Sequence, residues 1–185
     1  MLGPKTATLP NIHAAGSIGD PEEKAEAEKS ARRIISYLGI CFCFIFAGFS
    51  PAQSLITSRH TTYGFVSLGV LYGMFGLCSF VVPALISRIG LKASLLLAGC
   101  GYAGFVMSSI PSSDTPLLIV SPIEGFAAAL LWVTQGIYVS TVASKHGAAL
   151  GSLTGLFFAF QSSSAMFGFL ITLLLFKQGV KEECV

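Results

Sequence analysis

The sequence predicts an all-α fold: a multi-pass membrane bundle of about five spanning helices. Three observations carry that prediction. Only 11% of the 185 residues are charged and 53% are hydrophobic, whereas a soluble domain carries about 25% charged residues. The charges are also segregated. Of 20, ten lie in residues 1–33 and four in 177–185, so the 143 residues between hold only Arg59, Arg88, Lys92, Asp114, Glu124 and Lys145. Six charges cannot solvate a surface of that size, which excludes an ordinary soluble enzyme. Finally, the central stretch divides into apolar runs of about 20 residues, the length that crosses a ~30 Å hydrocarbon core.

Taken in order, residues 1–33 read as a polar, disordered, cytoplasmic tail. They lack the apolar h-region of a signal peptide, and the charged stretch 20–29 is compatible with a short helix ahead of the membrane. The first span, 34–56, follows Arg32 and Arg33. The second runs over 63–86. The third, 93–110, is closed by Pro111, Ser112, Ser113 and Asp114. The fourth covers 117–141 and the fifth 147–176. A short polar tail, 177–185, ends the chain. The connections are short, so successive helices run antiparallel. Orientation follows from the basic residues near the helix ends. Lys24, Lys29, Arg32, Arg33, Arg88, Lys92 and Lys145 fall on the amino-terminal side, and Arg59, Lys177 and Lys181 on the other. That bias places the amino terminus in the cytoplasm.

Polar residues inside the spans are the candidate site. Glu124 sits about 10 Å into the fourth span at 1.5 Å per residue, where a charge is costly and usually faces a cavity or a partner. Gln135 is three turns further on, nearly on the same face, and Tyr138 lies close to that stripe. One reading is a pore-facing stripe that binds substrate or a proton. The other is a protonated Glu124 hydrogen-bonded to a neighbouring helix, or to a backbone carbonyl freed by Pro122. Gln53 and Gln161 add polar groups to the first and fifth spans and can join helices by hydrogen bonds. Trp132 and Tyr138 belong either to an aromatic belt or to the packed interior. Gly69 and Gly73 with Gly76 in the second span, Gly101 and Gly104 in the third, and Gly151 and Gly155 in the fifth stand at short helical spacings. This spacing lets helix backbones approach closely.

Other chemistries find no support. His13, His60 and His146 lie in separate polar segments and assemble no metal site. Cys41, Cys43, Cys78 and Cys100 stand in apolar runs and read as small hydrophobic residues, with Cys184 in the tail. No basic patch interleaved with aromatics suggests nucleic acid. No acid–base pair, nucleophile or phosphate loop suggests an enzyme, and no cofactor is expected.

Between the second and third spans stands Pro83-Ala84-Leu85-Ile86-Ser87-Arg88-Ile89-Gly90-Leu91-Lys92. It resembles the loop motif G-x-L-x-D-R-x-G-R-K of the major facilitator superfamily. Leu85, Arg88, Gly90 and Lys92 match, while Pro83 and Ser87 replace the glycine and the aspartate. The loss of that carboxylate argues against the charge relay that locks the inward gate in that superfamily. Further stretches resemble the Unc-93-like family: 67–73 with Pro83 and Ala84, Ala52-Gln53, Leu131-Trp132-Val133-Thr134-Gln135-Gly136-Ile137-Tyr138, and Phe157-Phe158-Ala159-Phe160-Gln161-Ser162-Ser163. Order and spacing agree from about 38 to 179. Glu124 falls where the family has an apolar residue.

The resemblance implies a twelve-helix transporter-type fold of which this chain covers the first five helices, an incomplete amino-terminal half. It implies transmembrane transport by alternating access, with the alternative of a non-transporting adaptor that regulates ion channels or receptor trafficking. The expected partners are the lipid bilayer and another membrane protein or a missing carboxyl-terminal half. A transporter site normally lies between two halves, so transport by these helices alone is not expected.

Overall fold

The computed structural model describes residues 21–59, 61–108, 110 and 114–182. They form six helices: α1 (Pro21–Arg59), α2 (Thr61–Cys78), α3 (Val82–Ile89), α4 (Leu91–Ser108), α5 (Asp114–His146) and α6 (Leu150–Glu182). No strand occurs among the described residues. Four stretches, Pro21–Ser58, Leu91–Ser108, Thr115–His146 and Leu150–Leu174, are long and apolar enough to cross a membrane. The α2–α3 pair makes a fifth when taken as one broken span. The chain is thus an all-α, multi-pass bundle.

Two boundaries differ from those the sequence suggests. Helix α1 begins at Pro21 instead of near residue 34, so 21–33 is helical and not a disordered tail. The local chemistry explains it. Proline is tolerated in a first turn, where its missing N–H is not needed. Glu22 and Glu23 face the positive end of the helix dipole. Glu28 and Arg32, one turn apart, form an ion pair at 2.9 Å. At 39 residues α1 is about 58 Å long, roughly twice the hydrocarbon thickness, so its polar amino-terminal third extends beyond it. The rest of the expected tail, 1–20, lies outside the described residues.

The second difference is the span over 63–86, which breaks into α2 and α3 with a bend of 69°. Pro83 has no N–H to donate to the carbonyl four residues back, and its ring crowds that carbonyl. The α2 ladder therefore stops. Ser79 Oγ donates to the Phe75 carbonyl at 2.7 Å, and the Val81 amide closes a turn onto Cys78 at 2.9 Å. Proline then serves in the first turn of α3. Smaller shifts affect the other ends. Helix α4 runs from Leu91 to Ser108, α5 continues to His146, and α6 starts at Leu150 and carries on to Glu182 through most of the expected polar tail. Gly147, at φ +61°, turns the chain between α5 and α6, a conformation that L side chains rarely adopt.

Helix α1 packs chiefly on α6, while α5 takes α2 on one side and α4 on the other. An aromatic seam joins the two groups. Phe42 of α1 meets Phe157 of α6 edge-on, with centroids 4.9 Å apart. Phe46 lies 5.5 Å from Trp132 of α5 and 5.4 Å from Tyr102 of α4. Phe49 lies 4.9 Å from Tyr102. Trp132 therefore belongs to the packed interior and not to an aromatic belt. Lipid is as apolar as these rings, so the seam holds by close packing and ring geometry, at about 0.5–1.5 kcal/mol per aromatic pair.

Candidate functional site

Helix α5 is the most enclosed element of the bundle, and it carries the predicted stripe. Glu124 is fully buried and Gln135 is 5% exposed. Eleven residues apart, they lie about 20° from each other around the helix but about 16 Å apart along it. They share a face, yet no single small ligand touches both. Tyr138, one turn beyond Gln135, is half-buried against the core. Among the described residues no hydrogen bond links any two of Gln53, Glu124, Gln135, Tyr138 and Gln161.

Among the described residues, neither carboxyl oxygen of Glu124 has a hydrogen-bond partner. The alternative of a carboxyl tied to a neighbouring helix, or to a carbonyl near Pro122, is therefore not what the structure contains. Pro122 sits inside a continuous α5, and the Leu117 carbonyl nearby is taken by Ser121 Oγ at 2.6 Å. Ser67 Oγ on α2 and Thr134 Oγ1 on α5 are likewise buried and unpartnered. An isolated charge in such surroundings is very costly, so Glu124 is neutral or waits for a counter-group.

Glycine sets that spacing. A β-carbon on Gly101 of α4 would collide with Cβ of Ala127 and stand 3.5 Å from Oε2 of Glu124. Beside this contact an apolar groove of about 480 Å³ runs between α4 and α5, lined by Leu97, Cys100, Gly101, Ile123 and Ala127 among others. Such a volume lies in the range of small-molecule sites.

The other predicted residues scatter. Gln53 donates its amide to the Tyr72 hydroxyl at 2.8 Å, tying the end of α1 to α2. Gln161 is half-buried in α6, where its carbonyl accepts from Ser164 Oγ at 2.5 Å. In the loop motif, Gly90 has φ +82° and caps α3 through its amide on the Ile86 carbonyl at 2.8 Å. The motif glycine therefore makes the α3–α4 corner. Leu85 is half-buried, and Arg88 and Lys92 are exposed. Among the described residues Arg88 has no ion pair; Ser87, in the aspartate position, turns its hydroxyl onto the Ala84 carbonyl.

The packing glycines need correction. Gly69, Gly73, Gly151 and Gly155 have nothing within 4 Å of where a side chain would stand. All four are exposed. Gly69 and Gly73 turn away from Leu71, which meets Gly125 of α5, and Gly155 turns away from the buried Leu153 and from Phe157, whose ring meets Phe42 of α1. Close helix contacts fall instead at Gly39 against Phe160, Gly125 against Leu71, Gly168 against Ala47, and Gly101 against Ala127. Of these, only Gly101 is among the glycines the sequence singles out; Gly39, Gly125 and Gly168 stand in no glycine repeat, and Gly76 and Gly104 have nothing within 4 Å. Tyr72 also went unremarked, although a tyrosine inside an apolar helix needs a partner for its hydroxyl.

Residues 56–185 match the family described as ion channel regulatory protein UNC-93. The chain is similar to UNC93-like protein 3 of Arabidopsis thaliana, 35% identical over 92% of this chain and 38% of that protein. It is also similar to protein unc-93 homolog A of Homo sapiens, 30% identical over 84% of this chain and 36% of that one. The putative potassium channel regulatory protein unc-93 of Caenorhabditis elegans is 29% identical over 67% of this chain and 18% of its own length. The chain thus spans well under half the length of these curated relatives. No solved structure matches.

Proposed function

Because the chain belongs to the UNC-93 family of membrane proteins, we propose that it acts as a non-enzymatic membrane regulator that packs sideways against the helices of an ion channel. The observation that carries this reading is the pair of empty glycine flanks, Gly69 and Gly73 on α2 and Gly151 and Gly155 on α6. Glycine gives a lipid-facing helix little to pack with, but it lets another helix backbone come close. The channel-regulatory name borne by the family and by the worm relative supports the same reading. The test is potassium current in cells co-expressing the chain and a potassium channel. Current should change when the chain is present. Gly73→Leu with Gly155→Leu should abolish that change at equal membrane abundance. An unchanged current with the wild-type chain would contradict the proposal.

Solute transport is the second reading, and Glu124 favours it. A buried, unpartnered carboxyl is the kind of group that transport pathways use. Uptake that is lost in Glu124→Gln while current regulation persists would favour this reading.

A further inference from the structure

We propose that the groove between α4 and α5, together with the Glu124 carboxyl beneath it, is a binding site for a lipophilic amine that arrives from the bilayer. The site stands on its own geometry and does not rest on the regulatory reading. The groove is apolar and open at the flank, where Leu97 and Ile123 are more than half exposed. Gly101 and Ala127, which meet closely, both line it. Glu124 is closed off from the groove itself, but its Oε2 stands 3.5 Å from the point a Gly101 side chain would occupy.

Charge complementarity selects the ligand. Glu124 and Asp114 are the only acids in 34–176, and no cationic side chain pairs with Glu124 among the described residues. An ammonium group would supply both the missing charge and the missing hydrogen-bond donor. The walls accept only an apolar body. A purely polar cation would lose its hydration there without compensation, and a neutral hydrocarbon would leave the carboxyl unpartnered. Binding requires α4 to move slightly off α5. The residues meeting over the carboxyl are a glycine and an alanine, while Tyr102 and Phe105 stay packed on Phe46 and Phe49, so the shift is a local one around Gly101.

Cys100 supplies a native reporter, since it lines the groove and is exposed. With the full chain in phosphatidylcholine vesicles, the labelling rate of Cys100 by N-phenylmaleimide is followed by peptide-resolved mass spectrometry. N,N-dimethylcyclohexylamine should protect Cys100 without slowing labelling of Cys41, which is exposed on α1. Isopropylcyclohexane has the same shape without the nitrogen. It should need about tenfold more compound for the same protection, the discrimination expected of one charge-assisted hydrogen bond. Glu124→Gln should keep the unprotected rate and lose the amine's advantage. Ile123→Trp, which fills the groove mouth and leaves the carboxyl intact, should abolish protection even if the Gln variant fails to fold. Equal protection by amine and hydrocarbon, full protection in Glu124→Gln, or unaltered protection in Ile123→Trp would each overturn the proposal.

Discussion

Gly125 of α5 sits directly against the backbone of Leu71 on α2. A β-carbon at Gly125 would strike the Leu71 carbonyl oxygen and stand 2.7 Å from Cβ of Met74. Backbone atoms cannot yield as a flexible side chain can, so this contact fixes how near α2 lies to α5. Gly125→Ala is therefore expected to destabilise the bundle by roughly 1–3 kcal/mol, the usual cost of overpacking. Gly73→Ala, which meets nothing within 4 Å, should not destabilise the purified chain and should gain about 0.5–1 kcal/mol from helix propensity. Thermal denaturation of both variants in one detergent makes the comparison, and equal losses would contradict it.

Gln53 and Tyr72 give a second, smaller expectation. Their hydrogen bond at 2.8 Å joins α1 to α2, and interhelical bonds of this kind contribute about 0.6–2 kcal/mol. A double-mutant cycle with Gln53→Leu and Tyr72→Phe should return a coupling near the low end, because the pair is exposed. A coupling indistinguishable from zero would mean that the bond does not hold the helices.

Glu124 separates stability from binding. A carboxyl with neither oxygen satisfied weakens the fold that encloses it. Glu124→Leu is expected to raise the midpoint of thermal unfolding while removing amine protection of Cys100. A lowered midpoint would show that the carboxyl makes a structural contribution that its empty hydrogen-bond positions do not reveal.

Gly90 tests the corner that replaces the gate. At φ +82° it lies where side chains are strained, so Gly90→Ala should cost about 1–3 kcal/mol. The loss should appear as faster hydrogen exchange across α3 and the start of α4. Arg88→Gln should have little effect on exchange there, since Arg88 is exposed and makes no ion pair among the described residues. Equal exchange in Gly90→Ala and wild type would remove the structural account of the motif glycine.

How much of this was legible beforehand divides by the physics involved. The spans were readable because hydrocarbon tolerates so few charges that Arg88, Lys92 and Lys145 mark helix ends by themselves. The break at 79–81 was signalled by Pro83, but an uninterrupted apolar run hid it. The start of α1 was missed because a charged segment looks solvated whether or not it is helical; the i,i+4 pair of Glu28 with Arg32 was the available sign. For the site, Glu124 stood out by its charge alone. Its lack of partners did not, because that depends on which helix α5 meets. The glycines show the same limit: Gly69 and Gly73 have the right spacing, yet contact depends on which face is turned inward; Gly101 was marked by its place near Gly104, whereas Gly125 stands in no repeat.

The central claim is that the glycine flanks of α2 and α6 meet other membrane helices. The most direct test is photo-crosslinking in cells, with a benzophenone amino acid in place of Phe65 on α2 or Met166 on α6. Both are exposed on the glycine sides of their helices. Leu96, 74% exposed on the outer face of α4, serves as the lipid-facing reference. The account predicts discrete protein adducts from positions 65 and 166 and only lipid adducts from 96. Lipid adducts alone from all three positions would contradict it.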